Sequence, residues 1–199
     1  MIEVELKARL RDRATVEAAV ASFAGPGSRV DKRDSYWHGP DWRLDRGARV
    51  FRLRSAGGDS AGGDANTVVT FKNKRCEGGI EINQEREFEV SDSGAFVEFA
   101  ERLGCEFFYH KRKTGLGYKF GPSAGEGSPC EATIEIVEVE GLGDFIEIEI
   151  LLEDEDPGSV ALAQAEIRSL LSRSGVSEAD MESRFYSELL IEAGLVARP

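Results

Sequence analysis

Residues 3–9 read Glu3-Val4-Glu5-Leu6-Lys7-Ala8-Arg9, and their alternation decides the fold. A period of two belongs to a strand, so Glu3, Glu5, Lys7 and Arg9 share one face while Ile2, Val4, Leu6 and Ala8 share the other. Two carboxylates and a cation on one face suit a hard metal ion together with an anion. The alternation recurs along the chain with both signs of charge, which points to an enclosed polar interior.

The later ladders are each mostly of one sign. Residues 50–54 place Arg52 and Arg54 on one face, and residues 68–74 place Thr70, Lys72 and Lys74 together. Residues 81–90 carry Glu85, Glu87 and Glu89, residues 109–113 carry Lys111 and Lys113, and residues 145–150 set Glu147 and Glu149 between three isoleucines. Arg presents a planar fork that matches phosphate oxygens, and Lys a point charge. A polyphosphate needs several such cations at once, and Mg²⁺ or Mn²⁺ takes carboxylate and phosphate oxygens. Glu3, Glu5, Glu147 and Glu149 could supply the carboxylates if the first and last strands lie side by side. The competing reading is a half-buried sheet with a solvated charged face. Against it, these faces are almost purely Arg, Lys and Glu, and a solvated face usually mixes signs within a strand.

Working outward, residues 13–24 read as a helix stopped by Gly25-Pro26, and residues 93–103 as a second, capped by Ser91, Asp92 or Ser93 and ended at Gly104. Strand patterns cover about 29–37, 48–55, 67–74 and 81–90. Residues 105–113 and 117–120 suggest a pair of strands, and 133–140 with 145–152 a hairpin through Gly141-Leu142-Gly143. Residues 159–174 form an amphipathic helix after Pro157-Gly158, and 177–193 one or two helical pieces. The stretches 56–65 and 121–129 read as loops. No linker divides residues 1–199, so a single domain is expected: an α+β fold in which strands in hairpin order make an antiparallel barrel-like sheet with helices packed outside.

The chain has 199 residues, with 37 acidic against 25 Lys and Arg and a net charge of −12. That balance argues against a general binder of nucleic acid or anionic membrane, though it permits a local basic cavity. No signal-peptide pattern is seen, and no apolar run reaches the roughly 18 residues of a spanning helix. Cys76, Cys105 and Cys130 are dispersed and read as free thiols, so a cytoplasmic location is expected. With only His38 and His110 besides, a zinc site is not expected.

These residues, in this order, resemble the CYTH family, the triphosphate tunnel metalloenzymes. Glu3-Val4-Glu5-Leu6-Lys7 is similar to its N-terminal E-x-E-x-K signature, and Asp34-Ser35-Tyr36, Arg52-Leu53-Arg54, Thr70-Phe71-Lys72 and Lys111-Arg112-Lys113 resemble successive family blocks. The run from Glu140 to Glu149 resembles the block around Gly-Leu-Gly, and Phe185 to Leu190 the terminal block. Two positions depart: Val137 stands where many members have Asp, and Glu85 where many have Arg.

The resemblance implies a closed eight-stranded antiparallel barrel, a tunnel, that binds triphosphate with Mg²⁺ or Mn²⁺. It implies that Glu3, Glu5, Glu147 and Glu149 are metal ligands, that Lys7, Arg52, Arg54, Lys72 and Lys113 clamp phosphates, and that Glu87 matches an acidic position of the fifth strand. It makes Tyr36 and Lys111 candidates for a dyad assisting attack by water; the plain alternative for Tyr36 is a packed strand aromatic beside Trp37. The activity implied is a metal-dependent phosphohydrolase acting on tripolyphosphate, thiamine triphosphate or a nucleoside triphosphate. The alternatives are a class IV adenylate cyclase and a non-catalytic polyphosphate-binding module. The expected partner is a small-molecule triphosphate, with no nucleic acid and no membrane; a homodimer is left open.

Overall fold

The computed structural model describes residues 1–39, 50–55, 67–121 and 131–197. The two stretches read as loops lie outside the described residues, apart from Gly121, as does Cys130. Eight strands follow the chain as β1 (Ile2–Arg9), β2 (Ser28–His38), β3 (Val50–Ser55), β4 (Thr67–Glu77), β5 (Ile80–Val90), β6 (Glu106–Phe120), β7 (Ala132–Val139) and β8 (Gly143–Leu152). Helices α1 (Arg13–Ala24), α2 (Ser93–Arg102), α3 (Pro157–Arg173) and α4 (Tyr186–Glu192) intervene or follow, with a 3-10 turn at Glu178–Asp180. The strands close in the order β1-β5-β4-β3-β2-β6-β7-β8, and every ladder is antiparallel. The first and last strands pair over the whole of β1, from Ile2 opposite Leu152 to Arg9 opposite Phe145. The closed antiparallel barrel with external helices is the architecture that the strand pattern favoured and the resemblance implied. Among the described residues, no helix is long and apolar enough to cross a membrane.

The barrel is turned inside out relative to a greasy-cored one. Ile2, Val4, Leu6 and Ala8 of β1 join Ile80, Ile82, Ile134, Ile136, Ile146, Ile148 and Ile150 on its outer surface, in one core with Val160, Ala163, Ile167, Leu170 and Leu171 of α3. Val16 and Val20 of α1 pack into the same cluster beside Tyr118 and Phe120. Each such side chain contributes roughly 1.5–3 kcal/mol on burial, so the helices supply the apolar partner that fixes which face turns inward. Capping positions them: the Asp12 side chain accepts from Thr15 N, Asp92 from Ala95 N, and Asp156 from Ser159 N. The hairpin between β7 and β8 turns at Gly141 and Gly143, with φ of 79° and 90°, where L side chains are strained.

One element differs from its sequence reading. The strands expected at 105–113 and 117–120 are not two but one, β6, which begins at Glu106 and runs unbroken through 15 residues. Gly115, between the two expected pieces, serves close approach between strands. A Cβ at Gly115 would sit 2.8 Å from Val137 Cα and collide with Ile136 O. Glycine in a strand interior often marks such an approach. Gly115→Val should therefore destabilise the barrel by about 1–3 kcal/mol or prevent its folding; a denaturation midpoint matching that of the parent would remove this account of β6.

Candidate functional site

Inside the barrel the charged faces meet. The register sets Glu5 opposite Glu81 on one side and Glu149 on the other, Lys7 opposite Glu147, and Glu3 opposite Asn83. A cavity of about 610 Å³ occupies the bore. Of the residues expected from sequence, Glu3, Glu5, Tyr36, Arg52, Arg54, Lys72, Glu87, Lys111, Lys113, Glu147 and Glu149 all line it. Lys7 does not. It is 2 % exposed, paired with Glu81, and lies beneath the rings of Phe185 and Tyr186. Val137, where an Asp is usual in the family, is fully buried and packs with Val139, Phe145, Tyr186 and Leu189 in an apolar seal.

The carboxylates divide into two states. Burial alone would raise Glu3, but Lys72 at 2.8 Å and the Asn83 amide at 2.7 Å hold it down to about 2. Burial likewise opposes the charge on Glu147, and Lys113 at 2.6 Å with the Tyr186 hydroxyl at 2.5 Å brings it to about 2. Glu5 and Glu149, opposite one another, are raised instead. Burial and then Glu3, Glu81 and Glu147 push Glu5 up to about 7; burial and then Glu3 and Glu5 push Glu149 up to about 8. Were all four carboxyl groups ionised they would carry more negative charge than Lys72 and Lys113 neutralise, and the raising of Glu5 and Glu149 relieves that excess. This donor set is oxygen only, as Mg²⁺ or Mn²⁺ requires, so the residues fit such an ion. Among the described residues no three carboxylate, histidine or cysteine groups are gathered tightly enough to hold an ion as they stand. Lys72 and Lys113 draw Glu3 and Glu147 to themselves.

The opposite wall is cationic. Arg54 makes a two-pronged contact with Asp34 at 2.6 and 2.8 Å, and Arg52 donates to Thr70 at 2.7 Å and Glu87 at 3.3 Å. Arg52 Nε is buried with no hydrogen-bond partner among the described residues, a donor free for an anion. Lys111 lies 4.9 Å above the Tyr36 ring, 4.7 Å from the Tyr186 ring and 3.9 Å from Asp34. Burial, and then the charge of Lys113, hold its ammonium well below the usual lysine range. Tyr36 stacks on Tyr109 at 4.6 Å, and its hydroxyl donates to Asp34 at 3.4 Å. It is at once a packed aromatic and part of the cavity wall.

Several lining or supporting residues were not singled out from sequence. Lys74 belongs to the same ladder as Lys72 and contacts Glu81 at 3.0 Å, so its signal was present. Lys32 and Glu135 pair with each other on the cavity wall. Asp34 sat within a quoted block, yet its role as the buried anchor of Arg54 appears only once β2 and β3 are in register. Tyr186 reaches the cavity from a helix some forty residues beyond Glu147, and no local pattern announces that. A larger hollow of about 740 Å³ opens beneath Trp37, Leu53 and Val97, but none of the four paired glutamates lines it.

A CYTH domain family model matches residues 1–186. No curated protein matches the chain significantly. Among solved structures, a protein of Pyrococcus horikoshii is 28% identical, with a TM-score of 0.71 over 96% of this chain and 98% of that one. A Vibrio parahaemolyticus protein described as a candidate adenylate cyclase is 20% identical, with a TM-score of 0.70 over 96% and 98%. A Hippeastrum protein described as a candidate adenylyl cyclase with a dominant triphosphatase activity is 14% identical, with a TM-score of 0.60 over 96% of both chains. The last two likenesses concern the fold alone.

Asp34 is the anchor of the cationic wall, and burial would raise its carboxyl were it not for Arg54 and Lys111, which hold it well below the usual range. Asp34→Ala leaves the buried Arg54 guanidinium without its carboxylate partner and should cost about 3 kcal/mol or more in chemical denaturation. A folded-state value below the unfolded one means this stability is present above about pH 4 and lost in stronger acid. The gap between parent and variant should therefore narrow as pH falls; a gap that widens would assign Asp34 the wrong charge.

Proposed function

This chain belongs to the CYTH family, and we propose that within it the chain is a divalent-metal-dependent phosphohydrolase acting on a triphosphate held in the barrel. The observation that carries the reading is the division of one cavity into a wall of paired glutamates and a wall of arginines and lysines. A triphosphate alone would satisfy the second wall but not the first. A binding module needs cations, not Glu5 and Glu149 pressed together until both are raised toward neutrality. Glu3, Glu5, Glu147 and Glu149 would hold Mg²⁺ or Mn²⁺. Bound there, the ion would neutralise charge developing on phosphate oxygens.

The chain's own residues supply the rest. Arg52 and Arg54 present planar forks to phosphate oxygens, and Lys72 and Lys113 exchange their glutamate partners for substrate. The neutral amine favoured at Lys111 can accept a proton from water at the terminal phosphorus, with Tyr36 beneath it orienting the amine. Catalysis is positioning plus electrostatic stabilisation, as phosphoryl transfer generally requires. The triphosphatase activity described for the Hippeastrum protein is consistent with this direction.

The deciding experiment supplies purified protein with Mg²⁺ or Mn²⁺ and, in turn, tripolyphosphate, thiamine triphosphate and ATP, and identifies the products. Orthophosphate release is expected; cyclic AMP and pyrophosphate from ATP would replace the hydrolase with a cyclase, and tight binding without turnover would leave a binding module. Glu5→Gln should lower metal-dependent turnover on the order of a hundredfold or more with the fold intact; retained activity would remove β1 from the metal site. Lys72→Ala should raise KM on the order of tenfold, and an unchanged KM would take Lys72 out of the phosphate clamp.

A further inference from the structure

The strands that wall the bore also have an outer face, and on β2 it is rich in donors. Asp34 and Tyr36 turn toward the bore, so alternation turns Arg33, Ser35 and Trp37 outward. The hollow of about 740 Å³ is bordered by these three residues, by His110 and Arg112 of β6, and by Ser93 and Val97 of α2. Lys111 borders both cavities because its strand lies between them, whereas Arg52, Arg54, Lys72 and the four paired glutamates border the bore alone.

Arg33 and Arg112 stand directly opposite each other in the β2–β6 ladder, a placement in which like charges repel. Asp31 draws them together: Arg112 donates to it at 3.0 and 3.1 Å, and Arg33 and Arg29 lie 3.8 Å from it. A guanidinium carries five N–H donors, more than one carboxylate can take. Arg33 and Arg112 are 53% and 41% exposed, so both remain within reach of a ligand. Ser55, Thr67 and Ser93 bring further hydroxyls to the border. Trp37 is 7% exposed and packs against Phe51 and Phe107, with ring centroids at 6.2 and 5.5 Å. Its indole Nε1 is buried with no hydrogen-bond partner among the described residues. Buried polar groups are nearly always paired, and an indole nitrogen can only donate. The bordering acids do not answer it: the Asp34 carboxylate is fully enclosed and bound by Arg54, and Glu140 is exposed.

We propose that this outer hollow is a second ligand site, one that takes an organic phosphate with an aromatic body. The body lies against Trp37, Leu53 and Val97, and the phosphate oxygens accept from Arg33 and Arg112. Planar guanidinium forks match phosphate geometry, and a volume of several hundred Å³ is that of small-molecule sites. An acceptor atom on the ligand completes the indole N–H. On a chain whose net charge is −12, a local group of arginines is what allows an anion to approach this face. The site stands apart from whatever reaction the bore performs.

The test is calorimetric titration of the full chain, in a chelator of divalent ions, with 2-naphthyl phosphate, inorganic phosphate and 2-naphthol as probes. The naphthyl ester should bind on the order of tenfold more tightly than either fragment. The double variant Arg33→Gln, Arg112→Gln, verified as folded by circular dichroism, should lose about tenfold in affinity for the ester. Trp37→Phe keeps an aromatic ring and removes the N–H, and should lose roughly fivefold. Arg52→Gln, which alters only the bore, should bind the ester as the parent does. A folded arginine double variant with the parent's affinity overturns the site, and so does an affinity lost in Arg52→Gln instead, which would put the probe in the bore. Inorganic phosphate binding as tightly as the ester overturns the aromatic half of the proposal, and no binding of the ester at millimolar concentration overturns it entirely. None of these outcomes bears on turnover of a triphosphate in the bore.

Discussion

The structure depends on mutual neutralisation of buried charge inside a closed barrel. Lys72 with Glu3, Lys113 with Glu147, and Lys7 with Glu81 sit where bulk water is largely excluded. Removing an ion from water costs several kcal/mol, and a partner in good geometry offsets only part of that. The barrel can hold these groups because its apolar faces point outward, where α1 and α3 cover them with a core of isoleucine, leucine and valine. The stability resides in the outer layer, and the inner layer is freed for chemistry.

That division explains why the acidic side of the bore is held under electrostatic tension. Glu3 and Glu147 have lysine partners, whereas Glu5 and Glu149 face other carboxylates across paired strands. Closing β8 onto β1 brings the two glutamate pairs together and forces this proximity. On its other edge β1 outruns β5, which begins only at Ile80, and the segment around Glu182 fills that edge.

Much of this was legible in the sequence because alternation on a strand is a local property. The face shared by Glu3, Glu5 and Lys7 follows from spacing alone, as do Arg52 with Arg54 and Glu147 with Glu149. The outer faces were equally plain, since Ile146, Ile148 and Ile150 interleave with the acids. Local reading failed between residues 113 and 117, where β6 runs on and Gly115 makes room for the backbone of β7. The resemblance placed Lys7 among the phosphate-binding cations, and nothing within β1 shows that in the structure it pairs with Glu81 beneath the rings of residues 185 and 186.

The sequence by itself determined that charged and apolar residues occupy opposite faces of the strands and that the charged faces are rich enough to require mutual enclosure. It also determined where the helices begin, through Asp12, Asp92 and Asp156. Only the tertiary structure decided which carboxylate meets which cation, since that depends on register between strands far apart in the chain. It alone decided that Asp34 anchors Arg54, that Glu5 and Glu149 are left against like charge, and that Tyr186 lines the cavity. The physical reason is range: side-chain alternation is set within a few residues, whereas pairing energies inside the bore are set by distances that exist only after the barrel has closed.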